Sequence, residues 1–163
     1  MKNKEAERLI NRCKGELKVI EKYIKAQPLD ILNRHLTLYA LIEAHGTIEL
    51  SIKILIFTVL SKRGTTQLRS YLNESIKNHP FDIRYSHICK FLKKYVDDSW
   101  RLKLKRKIDA KVEREQIRSS LKTLHDTRNE FAHGGNPTIS FREIKKNFND
   151  SIKLIRILDV ITK

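Results

Sequence analysis

IELSIKILIFTVL, residues 48–60, is the stretch on which the fold turns. Apart from Glu49, Ser51, Lys53 and Thr58 it is apolar, so a helix drawn through it leaves almost no face for water. An all-round apolar helix lies at the centre of its bundle or in an oligomer interface. Its most apolar part, ILIFTVL at 54–60, is far shorter than the roughly 20 residues that span a bilayer, and Glu49 and Lys53 stand just before it. The stretch therefore reads as the middle of a buried helix.

Working outward, this second helix starts near Asp30, which can cap it, and closes at Ser61 to Gly64. Before it, Leu9, Ile10, Cys13, Leu17, Ile20 and Ile24 recur at spacings of three and four and predict a first helix over Lys4–Ala26, ended by Pro28. A short third helix, TTQLRSYLNESIKNH, is stopped by Pro80, and a fourth covers about Ile83 to Tyr95. The fifth runs from Arg114 to His133, where Gly134-Gly135 supplies a left-handed stop. After the turn at Asn136-Pro137, Ser140 and Glu143 form a capping box for a last helix that turns Ile144, Phe148, Ile152, Ile155, Leu158 and Ile161 inward. Almost no segment alternates strictly, and Gly (5) and Pro (3) are few. The expectation is an all-α, single-domain bundle of about five to six helices over residues 1–163, with a long central second helix and little or no sheet.

The 34 Lys+Arg against 19 Asp+Glu give a net charge of +15, a surplus that attracts polyanions, nucleic acid first among them. A lysine-rich solvated surface is the plainer explanation. Much of the charge lies in DDSWRLKLKRKIDAKVEREQ, residues 97–116, where Arg101, Lys103, Lys105, Arg106 and Lys107 are candidates for tracking RNA phosphates and Trp100 for stacking a base. Cys13 and Cys89 are the only cysteines, with no CxxC and no His/Cys pair at zinc-ligand spacing, which points to a reducing compartment, the cytoplasm, and to no structural metal. The charged N-terminal stretch MKNKEAERLINRCKGELK has no signal-peptide core, so no export is expected.

The fifth helix breaks its own pattern. Ile117, Leu121, Leu124, Phe131 and Ala132 share one arc, and Arg128 falls in the middle of it. A guanidinium there needs a carboxylate, carbonyls or a bound anion, because an unpaired buried charge loses several kcal/mol of solvation. Glu49 is the expected partner, with Glu43 the less constrained choice. Beside the arc, His125, Asn129 and His133 follow at four-residue intervals along one ridge. Two imidazoles and an amide can move and position protons near neutral pH, and Arg128 can fork onto a phosphate. The alternative is an ordinary helix end, since the dipole favours a terminal histidine and Gly-Gly is common capping. His35 and His45, at no ligand spacing, read as core-edge or surface residues.

R128-N129-E130-F131-A132-H133, followed by Gly134, resembles the motif of the HEPN superfamily, in which an arginine, commonly with a polar residue after it, precedes a histidine by a few positions. TLHDTRNEFAHG is similar to its standalone and defence-associated branches, RiboL-PSP among them; the close resemblance covers about the last fifty residues. It implies a homodimer whose two motifs face each other across a cleft and cleave RNA without metal or other cofactor. In that scheme His133 is base or acid, Arg128 stabilises the phosphate, Asn129 orients the nucleotide or the histidine, and Glu49, Glu43 and His125 support them. A toxin or defence effector fits this reading, with RNA, a second copy and a cognate antitoxin or other regulatory protein as partners, and no membrane. The alternative is a catalytically inactive HEPN-type module that binds nucleic acid or a partner protein.

Overall fold

A computed structural model describes residues 1–62, 65–77 and 81–162, apart from the Leu68 and Lys77 side chains. Seven helices make up the described residues: α1 (Lys4–Ala26), α2 (Leu32–Ser61), α3 (Thr66–Lys77), α4 (Tyr85–Tyr95), α5 (Asp98–Asp109), α6 (Arg114–Ala132) and α7 (Phe141–Ile161). There is no strand among them. The all-α class is as expected, and the helix count exceeds the expected five to six. The addition is α5, built from the basic run. Asp97 caps it by accepting the Ser99 N–H at 2.6 Å, and Leu104 and Ile108, one turn apart, anchor it in the core. Two apolar residues among so many cations give a faint periodic signal, which is why the sequence hides this helix.

The stretch 48–60 does lie at the centre. α2 packs against α1, α3, α6 and α7, and Ile48, Ile52, Leu55 and Ile56 are essentially sealed from water. Burying each such side chain contributes about 1.5–3 kcal/mol. The N-cap position of α2 falls on Ile31, which makes no side-chain cap, and not on Asp30 as expected; Asp30, one residue earlier, still accepts the Leu32 N–H at 2.8 Å. The expected stops at Gly64 and Pro80 lie outside the described residues.

α1 is tied to the far end of the chain. The Asn3 side chain accepts from the amides of Glu5 and Ala6, while the Lys2 and Asn3 amides donate to the buried Asp159 carboxylate of α7. α7 opens with the capping box, both halves present, and all six residues expected to face inward are buried. α6 lies mainly on α7 and touches α2. It ends in a Schellman turn: Gly134 (φ 81°) donates to Phe131 O at 3.1 Å and Gly135 to Glu130 O at 2.9 Å. Among the described residues no helix is long and apolar enough to cross a membrane.

The arc assigned to α6 holds for its first turns only. Ile117, Leu121 and Leu124 are buried, whereas Phe131 is half-buried and Ala132 exposed. The helix end runs out past its neighbours, so Arg128 is half-buried and not in the core.

Candidate active site

His125 is the hub of a polar cluster between α6, α2 and the segment leading into α4. Its Nδ1 lies 3.3 Å from Nε2 of His45, which projects from α2 into the core, and its Nε2 lies 2.9 Å from Nδ2 of Asn129. Asn129, one turn later on the same ridge, accepts a hydrogen bond from Arg128 Nη1 at 3.2 Å through its Oδ1. The hydrogen bond from Arg128 orients the Asn129 amide, and one assignment of protons then satisfies the remaining contacts of the ridge. With its oxygen turned to Arg128, the amide of Asn129 must donate to His125 Nε2, so His125 carries its proton on Nδ1 and donates to His45. His45 then presents Nδ1–H to Glu49 Oε2, 3.8 Å away. The result is a one-way chain of donors, Arg128 to Asn129 to His125 to His45, that requires both rings neutral.

Burial enforces that neutrality. Desolvation first, then His125 and Arg128, push His45 down to about 4, while Asp82 acts in the opposite sense. His125 is also lowered, chiefly by burial. Asp82 is the carboxylate beside the hub, with Oδ1 3.4 Å from His125 Nε2. Burial alone would raise it, but hydrogen bonds from Arg84, including the backbone N–H at 2.8 Å, and nearby His125 and His87 hold it below its ordinary value. The Arg84 guanidinium forks onto both carboxylate oxygens, and His87 Nδ1 lies 2.7 Å from Oδ2.

Neither glutamate meets Arg128. Glu49 is held by Lys53 at 2.7 Å and leans toward His45, and Glu43 lies on the other side of α2 near Arg12 and Glu16. The expected Arg128–Glu49 ion pair is therefore corrected: among the described residues Arg128 has no carboxylate within ion-pair distance. Its position near the end of α6 carries it beyond the reach of α2's acids, and half-burial lets water solvate it. His133 is the C-cap of α6, exposed, and its ring has no hydrogen-bond or ion-pair partner among the described residues. The ridge thus splits into an inner pair, His125 and Asn129, and an outer, unengaged His133.

Two other readings change. His45, expected at the core edge or surface, is 3 % exposed and in contact with His125; His35 is exposed as expected. Sequence reasoning also misses Asp82, Arg84 and His87. The available signal was the Asx turn of Asp82-Ile83-Arg84 before a helix, which is common enough to pass as capping. Of the basic run, Arg101 is paired with Asp98, Lys103 sits over the half-buried Trp100 ring at 5.8 Å, and Lys105, Arg106 and Lys107 are exposed on α5. Trp100 is half-buried and packs against the core.

A family model described as RiboL-PSP-HEPN matches residues 3–163, nearly the whole chain. The chain belongs to the RiboL-PSP-HEPN family. The match extends the family assignment from the last fifty residues to α1–α5, where only the helical layout suggested it. HEPN domains are generally ribonuclease-like. No curated protein and no solved structure matches the chain.

Proposed function

We propose that this HEPN domain is a metal-independent endoribonuclease whose active site is built around Arg128, Asn129 and His133 and completed by a second copy of the chain. The observation that carries the reading is Arg128. A half-buried guanidinium with no carboxylate partner among the described residues, five positions before an imidazole that has none there either, is a cation kept for an outside anion. Were it a structural ion pair, one of the surrounding acids would be turned to it, and Glu49 and Asp82 are both engaged elsewhere.

The chemistry is transesterification. The 2′-hydroxyl oxygen attacks the adjacent phosphorus and the bond to the 5′-oxygen of the next nucleotide breaks. A base takes the hydroxyl proton, an acid delivers one to the leaving oxygen, and positive donors meet the developing phosphorane charge. His133 of one protomer is the base or acid, and the same residue of a second copy takes the other role. Arg128 holds the phosphate. Asn129, fixed between Arg128 and His125, sets the direction of the guanidinium and contacts the nucleotide. The products carry 2′,3′-cyclic phosphate and 5′-hydroxyl ends. A toxin or defence effector acting on cellular RNA fits this activity.

The test is cleavage of total cellular RNA, with and without EDTA, by the parent and by His133→Ala of equal fold and oligomeric state. Chelator-resistant fragments that disappear in the variant are expected. A substrate with a 2′-deoxy scissile ribose should resist; equal cleavage of it, or loss of activity in EDTA, overturns the mechanism. RNA binding without cleavage by either protein would favour the inactive binding module.

A further inference from the structure

α1 and α7 both pack on α2 and touch each other only lightly, so a seam runs between them. The two helices are antiparallel and tied near the ends of the seam. Lys145 donates to Glu21 at one end, and the Lys2 and Asn3 amides donate to Asp159 at the other, roughly 27 Å away along α1. Two clefts open along it, of about 590 Å³ and 490 Å³. Cations crowd both: Lys25, Arg142, Lys145 and Lys146 line the first, and Lys2, Lys14 and Arg156 the second.

The acids that line the clefts, Glu21, Glu7 and Asp159, are satisfied within the protein. Glu21 is held by Lys25 at 3.2 Å and by Lys145, Glu7 by Lys4 at 3.1 Å, and Asp159 by the two amides. Lys14, Arg142, Lys146 and Arg156 are left with no ion pair or hydrogen bond among the described residues. The unbalanced charge of the seam is therefore positive, and a concave wall concentrates its field. Arg142, Lys146 and Arg156 stand on one side of α7 over roughly 21 Å, while Lys14 comes from the facing helix. Asn149 in the first cleft and Asn11 in the second add exposed amide donors.

Cations repeated along a line, from both walls, suit an anion whose charges also repeat along a line. A nucleic-acid strand carries one phosphate per nucleotide and no counter-cation of its own. The lining offers charge and amides but no exposed ring to stack a base, the pattern of contacts that position a backbone without reading sequence. The cations of α5, by contrast, all come from one helix. The turn 134–140 joins His133 to Phe141, so the seam begins at the end of the bundle that carries the motif.

We infer that the seam between α1 and α7 is a groove for the sugar–phosphate backbone of an RNA strand, gripped by Lys14, Arg142, Lys146 and Arg156. The inference rests on the reading of this protein as one that acts on RNA. It assigns the main phosphate contacts to α1 and α7 in place of α5.

The test uses the full chain carrying His133→Ala, so that RNA survives, and measures binding of a short unstructured RNA oligonucleotide over a salt series. One variant adds Lys14→Ala, Arg142→Ala, Lys146→Ala and Arg156→Ala; another adds Lys103→Ala, Lys105→Ala, Arg106→Ala and Lys107→Ala, and so removes the same charge from α5. Unpaired side chains outside the core can be lost with little effect on the fold, which thermal unfolding checks. The seam variant should bind more weakly, with the slope of log K against log salt reduced by roughly 2.8, four phosphates at about 0.7 each for a single strand. The α5 variant should lose less than half of that slope. An unchanged slope in the seam variant, an equal or larger loss in the α5 variant, or no RNA binding by the folded protein overturns the groove. Polyglutamate that competes as well as RNA at equal charge would give the seam to an acidic protein segment instead and overturn it too. The two readings fail separately. A parent that cleaves nothing but whose binding depends on the seam cations loses the nuclease and keeps the groove; a parent that cleaves, with binding and cleavage indifferent to them, keeps the nuclease and loses the groove.

Discussion

His45 on α2 and His125 on α6 face each other at 3.3 Å between Nε2 and Nδ1, both nearly sealed from water. Two imidazoles that close share the contact only when one donates and the other accepts, so the pair is a neutral hydrogen bond across the helix interface. Protonating His45 puts a second donor against the Nδ1–H of His125, beside the guanidinium of Arg128.

Acid should therefore loosen the bundle at this contact. The folded pKa of His45 lies near 4 against an ordinary 6.5, so the unfolded chain takes up its proton first as pH falls. The stabilisation is fully present above pH 6.5 and is lost between 6.5 and 4, up to roughly 2–3 kcal/mol. Urea unfolding of the parent and His45→Leu at pH 7.5 and 4.5 checks this. The stability gap between them should shrink on acidification, and a gap independent of pH would show that His45 stays unperturbed.

Arg128→Ala should barely affect the fold. Removing a half-buried guanidinium that has one hydrogen bond and no ion pair among the described residues costs about 1 kcal/mol or less. RNA cleavage, by contrast, should fall about 100-fold or more if the group meets the phosphorane. A loss of 3 kcal/mol in chemical denaturation would restore the structural ion-pair reading.

Asp82→Asn should cost about 1–3 kcal/mol, because the Arg84 fork and His87 lose their anion. The folded pKa of Asp82 is depressed, so its contribution is present above the ordinary carboxylate range and fades as pH falls through the folded value. The deficit of the variant should accordingly be larger at pH 7 than at pH 3; denaturation at both values measures it.

Gly135→Ala should disturb the end of α6, since a Cβ there would stand 2.7 Å from the Glu130 backbone oxygen that closes the Schellman turn. Gly134→Ala meets no atom but forces an L-residue to φ 81°, at a cost of about 1 kcal/mol. Both should lower Tm by a few degrees. Gly135→Ala should also cut cleavage more than its stability loss explains, because His133 is the C-cap of that turn. Wild-type activity in a stable Gly135→Ala would detach the turn from the site.

What the sequence determined by itself is whatever is settled within a turn or two of helix. The inward stripe of α7, the Ser140–Glu143 box, the Gly134 stop, the apolar centre of α2 and the ridge of His125, Asn129 and His133 all follow from local periodicity and capping, and each stands where the pattern puts it. α5 escaped because Leu104 and Ile108 are only two anchors in a run of cations. Which acid stands beside the motif belonged to the tertiary structure. A helical projection gives direction around an axis, and on that basis Glu49 and Arg128 point toward one another. It does not say how far the end of α6 runs past α2, or that the chain before α4 brings Asp82 to His125. Those offsets are set by how whole helices pack, and they bury His45 against His125 and leave Arg128 without a counter-ion among the described residues.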